Sequence, residues 1–377
     1  MPDASTVLLP ATAESVSEAT RLLRRGELVG LPTETVYGIA ASARRREAVQ
    51  RLRDLKVDGR PQAFTLHVAE LSQARAVLDA APPAAVRLAR RGMPGPLTLL
   101  IELDDEAADG VAESLGLSES DRGAVIQAHT LGLRCPDEPL AEQVLREVDE
   151  PVVASSAHRA GTRPARHAED AAARVGDAVA AVIDGGRTRY GKPSTVVRVP
   201  RAGGAGGPAG KGALRIEREG VYDKRMVRDM ARHTVLFVCS GNTCRSAMAE
   251  ALADAQLAGT EGEVEVVSAG VMAMPGAPAS AGAVRAMQQR GLALDSHRAQ
   301  PLTRELVNRA DVIYTMTAAH REAVLDLAPH AADKTHQLDP DHDVTDPIGA
   351  DDAVYQATAD MIHAAISRRF TEDGIGS

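Results

Sequence analysis

The chain has 377 residues, of which 44% are hydrophobic and 25% charged, and its formal net charge is −9. This length favours two globular domains over one, and the composition is that of an ordinary globular protein. Aromatic residues make up only 2%, with no tryptophan, which argues against a surface that stacks the bases of single-stranded nucleic acid.

Charge and cysteine content narrow the function classes further. Up to Val221 there are 29 basic and 30 acidic residues, and beyond it there are 14 and 22. The first part therefore has room for a local basic surface that binds nucleotides, and the second is not expected to bind nucleic acid.

Three cysteines cannot form a disulfide framework, and neither a signal-peptide pattern nor a run of about 18 apolar residues occurs. We expect a soluble cytoplasmic protein without a membrane partner.

Several predicted strands in the first 221 residues are followed by polar turns, and such turns are where ligands tend to bind in α/β proteins. The residues alone leave open whether these turns bind anything. In chain order the predicted elements are a helix at Ala13–Arg25, a strand at Glu27–Leu31 with the polar turn Pro32–Gly38, a turn and strand at Met93–Ile101, a strand-to-turn junction at Gly132–Asp137, a strand at Pro151–His158, and a turn into a strand at Gly191–Val197.

These segments together resemble the threonylcarbamoyl-AMP synthase (YrdC-like) family across roughly residues 7–221. Their order and spacing carry the resemblance. It implies a twisted α/β sandwich with a concave basic cavity, and a reaction that condenses threonine, bicarbonate and ATP into threonylcarbamoyl-adenylate with release of pyrophosphate. The product would pass to the machinery that modifies adenosine 37 of tRNA. The matching segments are Leu31–Gly38, Phe64–His67, Pro94–Thr98, Leu133–Pro136 and Ser194–Val197.

The same resemblance implies two sets of binding residues. For His67, the alternative is a core histidine whose hydrogen bonds are satisfied within the protein. The family positions around threonine and its carboxylate are Thr33, His67, Arg134, Ser156 and Ser194. The positions expected to bind ATP, as a substrate accompanied by Mg²⁺, are Lys56, Arg60, His158 and Arg218.

Two positions depart from the family pattern on the nucleotide side. Asp58 occupies the place of an arginine that follows Lys56 in the family, so we expect Arg60 to supply that charge. His158 stands where the family has asparagine; its ring also donates a hydrogen bond but is larger. An alternative function for the first domain is therefore a non-catalytic module that binds nucleotide or RNA.

A glycine-rich segment and a polar helix join the two parts of the chain. Pro200–Gly212 is rich in glycine, alanine and proline and predicts a flexible hairpin insertion before a strand at Ala213–Glu217. Tyr222–Arg232 predicts a short linking helix. The predicted domains are residues 1–221 and 233–377, with residues 222–232 as the linker.

The second domain is organised around Val235–Glu250, which predicts a strand, a tight loop and a helix that opens at Ser246. A loop that enters a helix N-terminus directs backbone N–H groups and the positive end of the dipole at one point, which makes an anion site. The same field favours the thiolate of Cys239 as a nucleophile. Arg245 adds a guanidinium that grips two phosphoryl oxygens. The alternative is an ordinary turn with a buried structural cysteine.

Cys239–Ser246, with its Cys-x5-Arg-Ser pattern after a hydrophobic strand, resembles the low-molecular-weight protein phosphatases. The resemblance implies that Cys239 forms a cysteinyl-phosphate, that Arg245 clamps the phosphoryl group, and that Asp346 is the acid and then the base, with no metal. A turn-forming Asp-Pro pair is the alternative for Asp346. The residues expected to support the phosphate loop are Ser240, Gly241, Asn242, Thr243, Cys244 and Ser246.

Strands and helices alternate through the second domain, which predicts a doubly wound parallel sheet with the loop at the carboxyl end of its first strand. Family members that act on phosphotyrosine carry a bulky aliphatic residue where Thr243 stands, and those that act on phosphoarginine carry threonine. We therefore expect phosphorylated proteins as partners and phosphoarginine as the substrate, with phosphotyrosine as the alternative. The predicted elements are strands at Val235–Val238, Val264–Ser268 and Val312–Met316 and helices at Ser246–Ala258, Pro278–Arg290 and Asp351–Arg369.

Overall fold

The computed structural model describes residues 6–55, 64–157, 164–201, 214–258 and 264–376. The chain divides into two compact units, Met1–Ala231 and Arg232–Ser377, and each combines helices with strands. The helix that forms most of the predicted linker buries Val227 in the core of the first unit.

The first unit contains one mixed sheet, with eleven strands among the described residues. Its order is β1-β9-β2-β3-β8-β4-β7-β5-β10-β11, and β6 pairs with β7. The strands are β1 (Val7–Leu9), β2 (Val29–Leu31), β3 (Gly38–Ser42), β4 (Thr65–His67), β5 (Leu97–Glu102), β6 (Ile126–Gln127), β7 (Thr130–Arg134), β8 (Val152–Ser156), β9 (Ala181–Ile183), β10 (Thr195–Val199) and β11 (Arg215–Arg218).

Nine helices accompany this sheet in the described part of the unit. Several begin where a side chain accepts an otherwise unpaired N–H: Thr12 caps the first helix and Asp104 the fifth. The helices are α1 (Ala13–Arg24), α2 (Arg46–Asp54), α3 (Arg75–Asp79), α4 (Pro83–Gly92), α5 (Asp105–Ser114), α6 (Glu119–Arg122), α7 (Pro139–Val148), α8 (Ala168–Val175) and α9 (Lys224–Ala231).

The strands bury alternate side chains on opposite faces of the sheet. Ile39 and Ala41 of β3 lie in one hydrophobic core, and Ala40 lies in another. Helices α2, α4, α5 and α8 pack into the first core, and α1 and α7 into the second. Because successive strand residues point to opposite faces, the sheet is covered on both sides. The predicted α/β sandwich is confirmed.

Beside α1 and α7, the same face of the sheet carries polar side chains. Leu66 of β4 lies in the core of the opposite face, so Thr65 and His67 point to this one. Leu97 and Leu99 place Thr98 of β5 on this face in the same way. The sheet thus carries polar groups of β4 and β5 on one face, with β7 between the two strands.

The turn between β6 and β7 is strained, which leads to a stability prediction. Gln127 pairs with Thr130, and the two turn residues between them have positive φ, 45° at Ala128 and 59° at His129. A two-residue turn with this backbone favours Asn-Gly, since other L-residues pay about 1–2 kcal/mol there. We expect Ala128→Asn with His129→Gly to stabilise the first unit by about 1 kcal/mol and raise its Tm by roughly 2–4 °C.

Thermal unfolding of the whole chain measures this effect. His129→Ala is the matched control, because it removes the exposed imidazole beside Asp105 but keeps both strained φ angles, and it should give no gain. A double variant that melts no higher than the parent would contradict the assigned strain.

The second unit is a parallel sheet in the order β13-β12-β14-β15. The predicted doubly wound sheet is confirmed by its two cores: Val235 and Phe237 of β12 pack with α10, α11 and α14, and Leu236 and Val238 pack with α12 and α13. The elements are β12 (His233–Cys239), β13 (Val264–Gly270), β14 (Val312–Thr315), β15 (Thr335–Gln337), α10 (Arg245–Gln256), α11 (Ala281–Gln288), α12 (Arg304–Arg309), α13 (Ala318–Leu327) and α14 (Asp352–Glu372).

One predicted helix begins later than its pattern indicated. The prediction placed its start at Pro278, whereas α11 begins at Ala281. Ser280 explains the difference, because its hydroxyl accepts the N–H of Ala283 at 3.3 Å and so caps the helix.

Two candidate active sites

A cavity of about 410 Å³ lies over the polar face of the first sheet. The five residues predicted to bind threonine and one of those predicted to bind ATP lie in its wall, although they come from four strands, the turn after β2 and the residue before β10. They are Thr33, His67, Arg134, Ser156, Ser194 and Arg218.

Arg134 is the central cation of this cavity and is only 7% exposed. Its Nη2 donates to Thr35 Oγ1 at 2.6 Å, to Glu34 Oε1 at 3.0 Å and to Thr33 Oγ1 at 3.3 Å. Its buried Nε finds no hydrogen-bond partner among the described residues. The guanidinium is thus held on one side by the turn after β2, and one of its N–H groups is left without a partner in the described part of the chain. A carboxylate suits that N–H best.

Glu34 is the buried counter-ion of this arginine. Its side chain is fully buried, and its second oxygen accepts the Asp137 N–H at 3.2 Å. A buried arginine is stabilised when a carboxylate faces it and the remaining lone pairs are satisfied. Glu34 therefore orients Arg134, a role that the sequence analysis did not assign.

His67 lies next to Arg134 because the two pair in register across β4 and β7. Its Nδ1 lies 2.8 Å from the Thr65 carbonyl oxygen, and since a carbonyl only accepts, Nδ1 carries the hydrogen. Burial and the Arg134 charge lower the pKa of His67 to about 3. The ring is therefore neutral near pH 7 and leaves Nε2 as an acceptor for an ammonium or hydroxyl group.

Ser194 and Arg218 form the other side of the cavity. Arg218 Nη2 donates to the Ser194 hydroxyl and carbonyl oxygens, both at 3.1 Å, and Thr98 lies 2.9 Å from the same hydroxyl. Burial and the nearby Arg134 lower the pKa of Arg218. Two guanidinium groups thus line one cavity, which suits an anionic ligand or a ligand with several anionic groups.

The remaining candidates for ATP binding, Lys56, Arg60 and His158, lie outside the described residues, and so does Asp58. Within the described ranges, no group of three or more histidine, cysteine or acidic side chains is arranged to hold a metal ion.

In the second unit, the loop between β12 and α10 surrounds the Cys239 sulfur, and the residue is 2% exposed. The Asn242 N–H donates to this sulfur at 3.3 Å, and the Ser246 hydroxyl lies 2.9 Å from it. Because Asn242 Nδ2 donates to that hydroxyl oxygen at 3.0 Å, the Ser246 hydrogen is available to the sulfur. Two donors can therefore be directed at this one sulfur.

Asn242 fixes the shape of the loop, and its positive φ of 53° is one that asparagine tolerates better than most residues. Its side chain also donates to Ser268 Oγ at 2.7 Å and accepts the Gln300 N–H at 2.9 Å. Gly270 lets β13 approach, since a Cβ there would lie 2.5 Å from the Ser240 carbonyl oxygen. The loop is therefore held in place by groups behind it.

Arg245 and Asp346 meet at the mouth of the same loop. Arg245 is 5% exposed and donates from Nη2 to Asp346 Oδ2 at 2.5 Å and from Nη1 to the Val344 carbonyl at 3.1 Å. Asp346 Oδ1 also accepts the Ile348 N–H at 3.2 Å. The carboxylate is thus placed beside the clamp, where a departing group would need a proton.

A pocket of about 200 Å³ opens over the sulfur. Asn242 and Ser246 lie behind it and do not line it, and Met272 and Ile348, 78% and 67% exposed, flank its mouth. The lining comprises Cys239, Ser240, Gly241, Thr243, Cys244, Arg245, Met272, Asp346 and Ile348.

Comparison with known proteins gives each unit a family. The family model Sua5_yciO_yrdC, described as "Telomere recombination", matches residues 21–205, and the model described as "Low molecular weight phosphotyrosine protein phosphatase" matches residues 234–372. The chain is 35% identical to a threonylcarbamoyl-AMP synthase of Chromohalobacter salexigens over 49% of this chain and 92% of that protein. It is 39% identical to a protein-arginine-phosphatase of Geobacillus stearothermophilus over 36% of this chain and 93% of that protein. The chain belongs to both families.

The chain spans only about half the length of a third, longer relative. The chain is 35% identical to the threonylcarbamoyl-AMP synthase of Bacillus subtilis over 48% of this chain, but it spans only 49% of that relative's length. The relatives that each unit matches are named as enzymes. In the described residues no helix combines the length and apolar character that a membrane span requires.

Two histidines of the phosphatase-family unit escaped the sequence analysis. His297 Nε2 lies 2.7 Å from the Asn242 carbonyl oxygen, and His320 Nε2 lies 2.8 Å from Ser240 Oγ. Each belongs to a segment distant from the loop in sequence, and a single histidine in a helix or turn gives no local signal of such a contact. Only the tertiary structure reveals them.

Proposed function

We propose that the second unit hydrolyses phosphoarginine in proteins. The Cys239 thiolate attacks phosphorus, the P–N bond breaks, and the proton of Asp346 passes to the departing guanidine nitrogen. Asp346 then takes a proton from water, which attacks the cysteinyl-phosphate and releases inorganic phosphate and free Cys239. The observation that carries this proposal is the meeting of Cys239, Arg245 and Asp346 at one 200 Å³ pocket.

Thr243 supports arginine over tyrosine as the phosphorylated residue. It lines the pocket, and its side chain is smaller than the bulky aliphatic residue of the tyrosine-specific members, so it leaves room for a guanidinium. The relative that is 39% identical is named a protein-arginine-phosphatase. The description of the family model names phosphotyrosine instead, and tyrosine dephosphorylation is the second candidate.

We expect Thr243→Ile to lower kcat/KM for phosphoarginine peptides by about 10- to 100-fold, since the added apolar bulk occupies the space for the guanidinium. Hydrolysis of phosphotyrosine peptides should fall less or rise. Steady-state kinetics on paired peptides that differ only in the phosphorylated residue measure the ratio.

Thr243→Ser is the matched control, because it keeps a small polar side chain and should preserve the ratio. If the parent chain ignores phosphoarginine and hydrolyses phosphotyrosine, the specificity proposal is wrong and the tyrosine alternative holds.

We further propose that the first unit forms threonylcarbamoyl-adenylate from threonine, bicarbonate and ATP. Arg134 Nε would receive the threonine carboxylate, and His67 Nε2 its amine or hydroxyl group, while Ser156, Ser194 and Arg218 complete the cavity. The unpaired, buried Nε of Arg134 is the observation that carries this proposal. ATP would bind with Mg²⁺ through Lys56, Arg60, His158 and Arg218, and no described residue is assigned as a protein ligand of the ion.

Pyrophosphate release tests this proposal. The whole chain, given ATP with Mg²⁺, should release pyrophosphate only when both threonine and bicarbonate are present, and the nucleotide product should react onward with the tRNA-modification machinery of the cytoplasm. Serine in place of threonine is the matched control substrate. If ATP or RNA binds but no threonine-dependent pyrophosphate is formed, the non-catalytic binding module is the correct alternative, as Asp58 and His158 would then explain.

A further inference from the structure

His320 is a buried histidine beside the phosphate loop to which the proposed reaction gives no role. It lies in the first turn of α13, is 6% exposed, and does not line the pocket over Cys239. Its Nε2 lies 2.8 Å from Ser240 Oγ, and its Nδ1 lies 2.9 Å from Thr317 Oγ1. Both ring nitrogens are thus occupied, one by the loop and one by the cap of its own helix.

The ring is neutral, and the tautomer with hydrogen on Nδ1 is compatible with all of these contacts. Burial and the Arg245 charge lower the pKa of His320 to about 4. With hydrogen on Nδ1, the ring donates to Thr317 Oγ1, which also accepts the His320 backbone N–H at 3.2 Å. Nε2 then accepts the Ser240 hydroxyl hydrogen.

Ser240 links this ring to the clamp. Its hydroxyl lies 3.5 Å from Arg245 Nη2, which is the nitrogen that also meets Asp346. When the Ser240 hydrogen is turned toward His320, the lone pairs of its oxygen are left for Arg245. The imidazole of His320 therefore sets the orientation of the Ser240 hydroxyl.

We propose that His320 is a positioning residue of the phosphatase site: it orients the Ser240 hydroxyl and, through it, the Arg245 side chain that grips the phosphoryl group. The inference rests on the proposed phosphatase reaction. Misorientation of a bidentate clamp weakens the transition state more than the substrate complex, because the clamp's two bonds to oxygen are best aligned in the transition state.

A double-mutant cycle on the whole chain tests this role with p-nitrophenyl phosphate, whose good leaving group needs little protonation and so isolates the clamp from Asp346. We expect His320→Ala and Ser240→Ala each to lower kcat/KM about tenfold, mainly in kcat, which corresponds to about 1.4 kcal/mol. The double variant should be no worse than either single variant, because both remove the same link. His320→Gln, whose amide can reach Ser240, should come within about threefold of the parent.

The exposed His363 of α14 provides the matched control, since His363→Ala should keep parental kinetics. Parental kcat/KM in His320→Ala, or losses that multiply in the double variant, would overturn the inference while leaving the phosphatase proposal intact. A parent chain that hydrolyses neither this ester nor phosphopeptides would overturn both. If His320→Ala does not fold, the two single variants Ser240→Ala and His320→Gln decide the question. A tenfold loss of activity in Ser240→Ala together with near-parental activity in His320→Gln supports the role. Any other pair of results contradicts it.

Discussion

Replacement of Cys239 by serine is expected to abolish dephosphorylation by the whole chain and to leave threonine-dependent pyrophosphate release unchanged. A hydroxyl at this position keeps the contacts with Ser246 and Asn242 but is a far weaker nucleophile than a thiolate at neutral pH. Loss of the nucleophile from a preorganised site costs on the order of 10⁴-fold or more in kcat. Release of inorganic phosphate from a phosphopeptide and of pyrophosphate from ATP, measured on the same preparation, provides both values.

Cys135 supplies the control for this prediction. It is likewise a buried cysteine, with its sulfur 3.3 Å from the Ala69 carbonyl oxygen, and burial raises the pKa of its thiol. Cys135→Ala should therefore dephosphorylate as the parent does. Residual dephosphorylation by Cys239→Ser above about a hundredth of the parental rate would show that another group attacks phosphorus.

The second large effect is expected when Arg134 is replaced by methionine. This change leaves the Glu34 carboxylate buried without its counter-ion, which typically costs about 3–5 kcal/mol of folding free energy. It also removes the Nε–H group that we assign to the threonine carboxylate. Denaturant unfolding should show the loss of stability, and threonine-dependent pyrophosphate release should disappear.

Addition of Glu34→Gln separates these two effects. The double variant has no buried unpaired charge, so much of the lost stability should return, whereas pyrophosphate release should stay absent. If pyrophosphate release returned together with stability, Arg134 would be shown to stabilise the fold and not to bind threonine. Glu34→Gln alone should be active but should bind threonine less well, because it keeps the guanidinium with a weaker partner.

The phosphate loop could be predicted from sequence because all its parts are local. Strand, nucleophile, loop and helix start lie within Val235–Glu250, and the continuous apolar run Val235–Val238 indicates a strand that is buried on both faces. Its distant partners could not be found in that way. Asp346 was predicted only through the family resemblance, and neither His297 nor His320 had a local signal.

The first unit shows the same limit more strongly. The five positions assigned to threonine were placed by resemblance, and the structure brings them into one cavity, but the sheet order that does so has no local signature. β4 lies between β8 and β7, so neighbours in the sheet are separated by long stretches of chain. Glu34 could have been suspected: an acidic residue in an otherwise uncharged turn next to a buried strand requires a cation, and Arg134 supplies it.

The residues around the Cys239 loop fall into two groups, one behind the loop and one at the opening of the pocket. Asn242, Ser246 and Ser268 are not part of the pocket lining, so we expect changes there to weaken the binding of any oxyanion, whatever group it is attached to. Thr243 and Ile348 line the pocket, where we propose that they contact the departing group. A few substitutions at the rim of the pocket could therefore change which phosphorylated amino acid is hydrolysed. The residues that cleave the bond to phosphorus would stay the same.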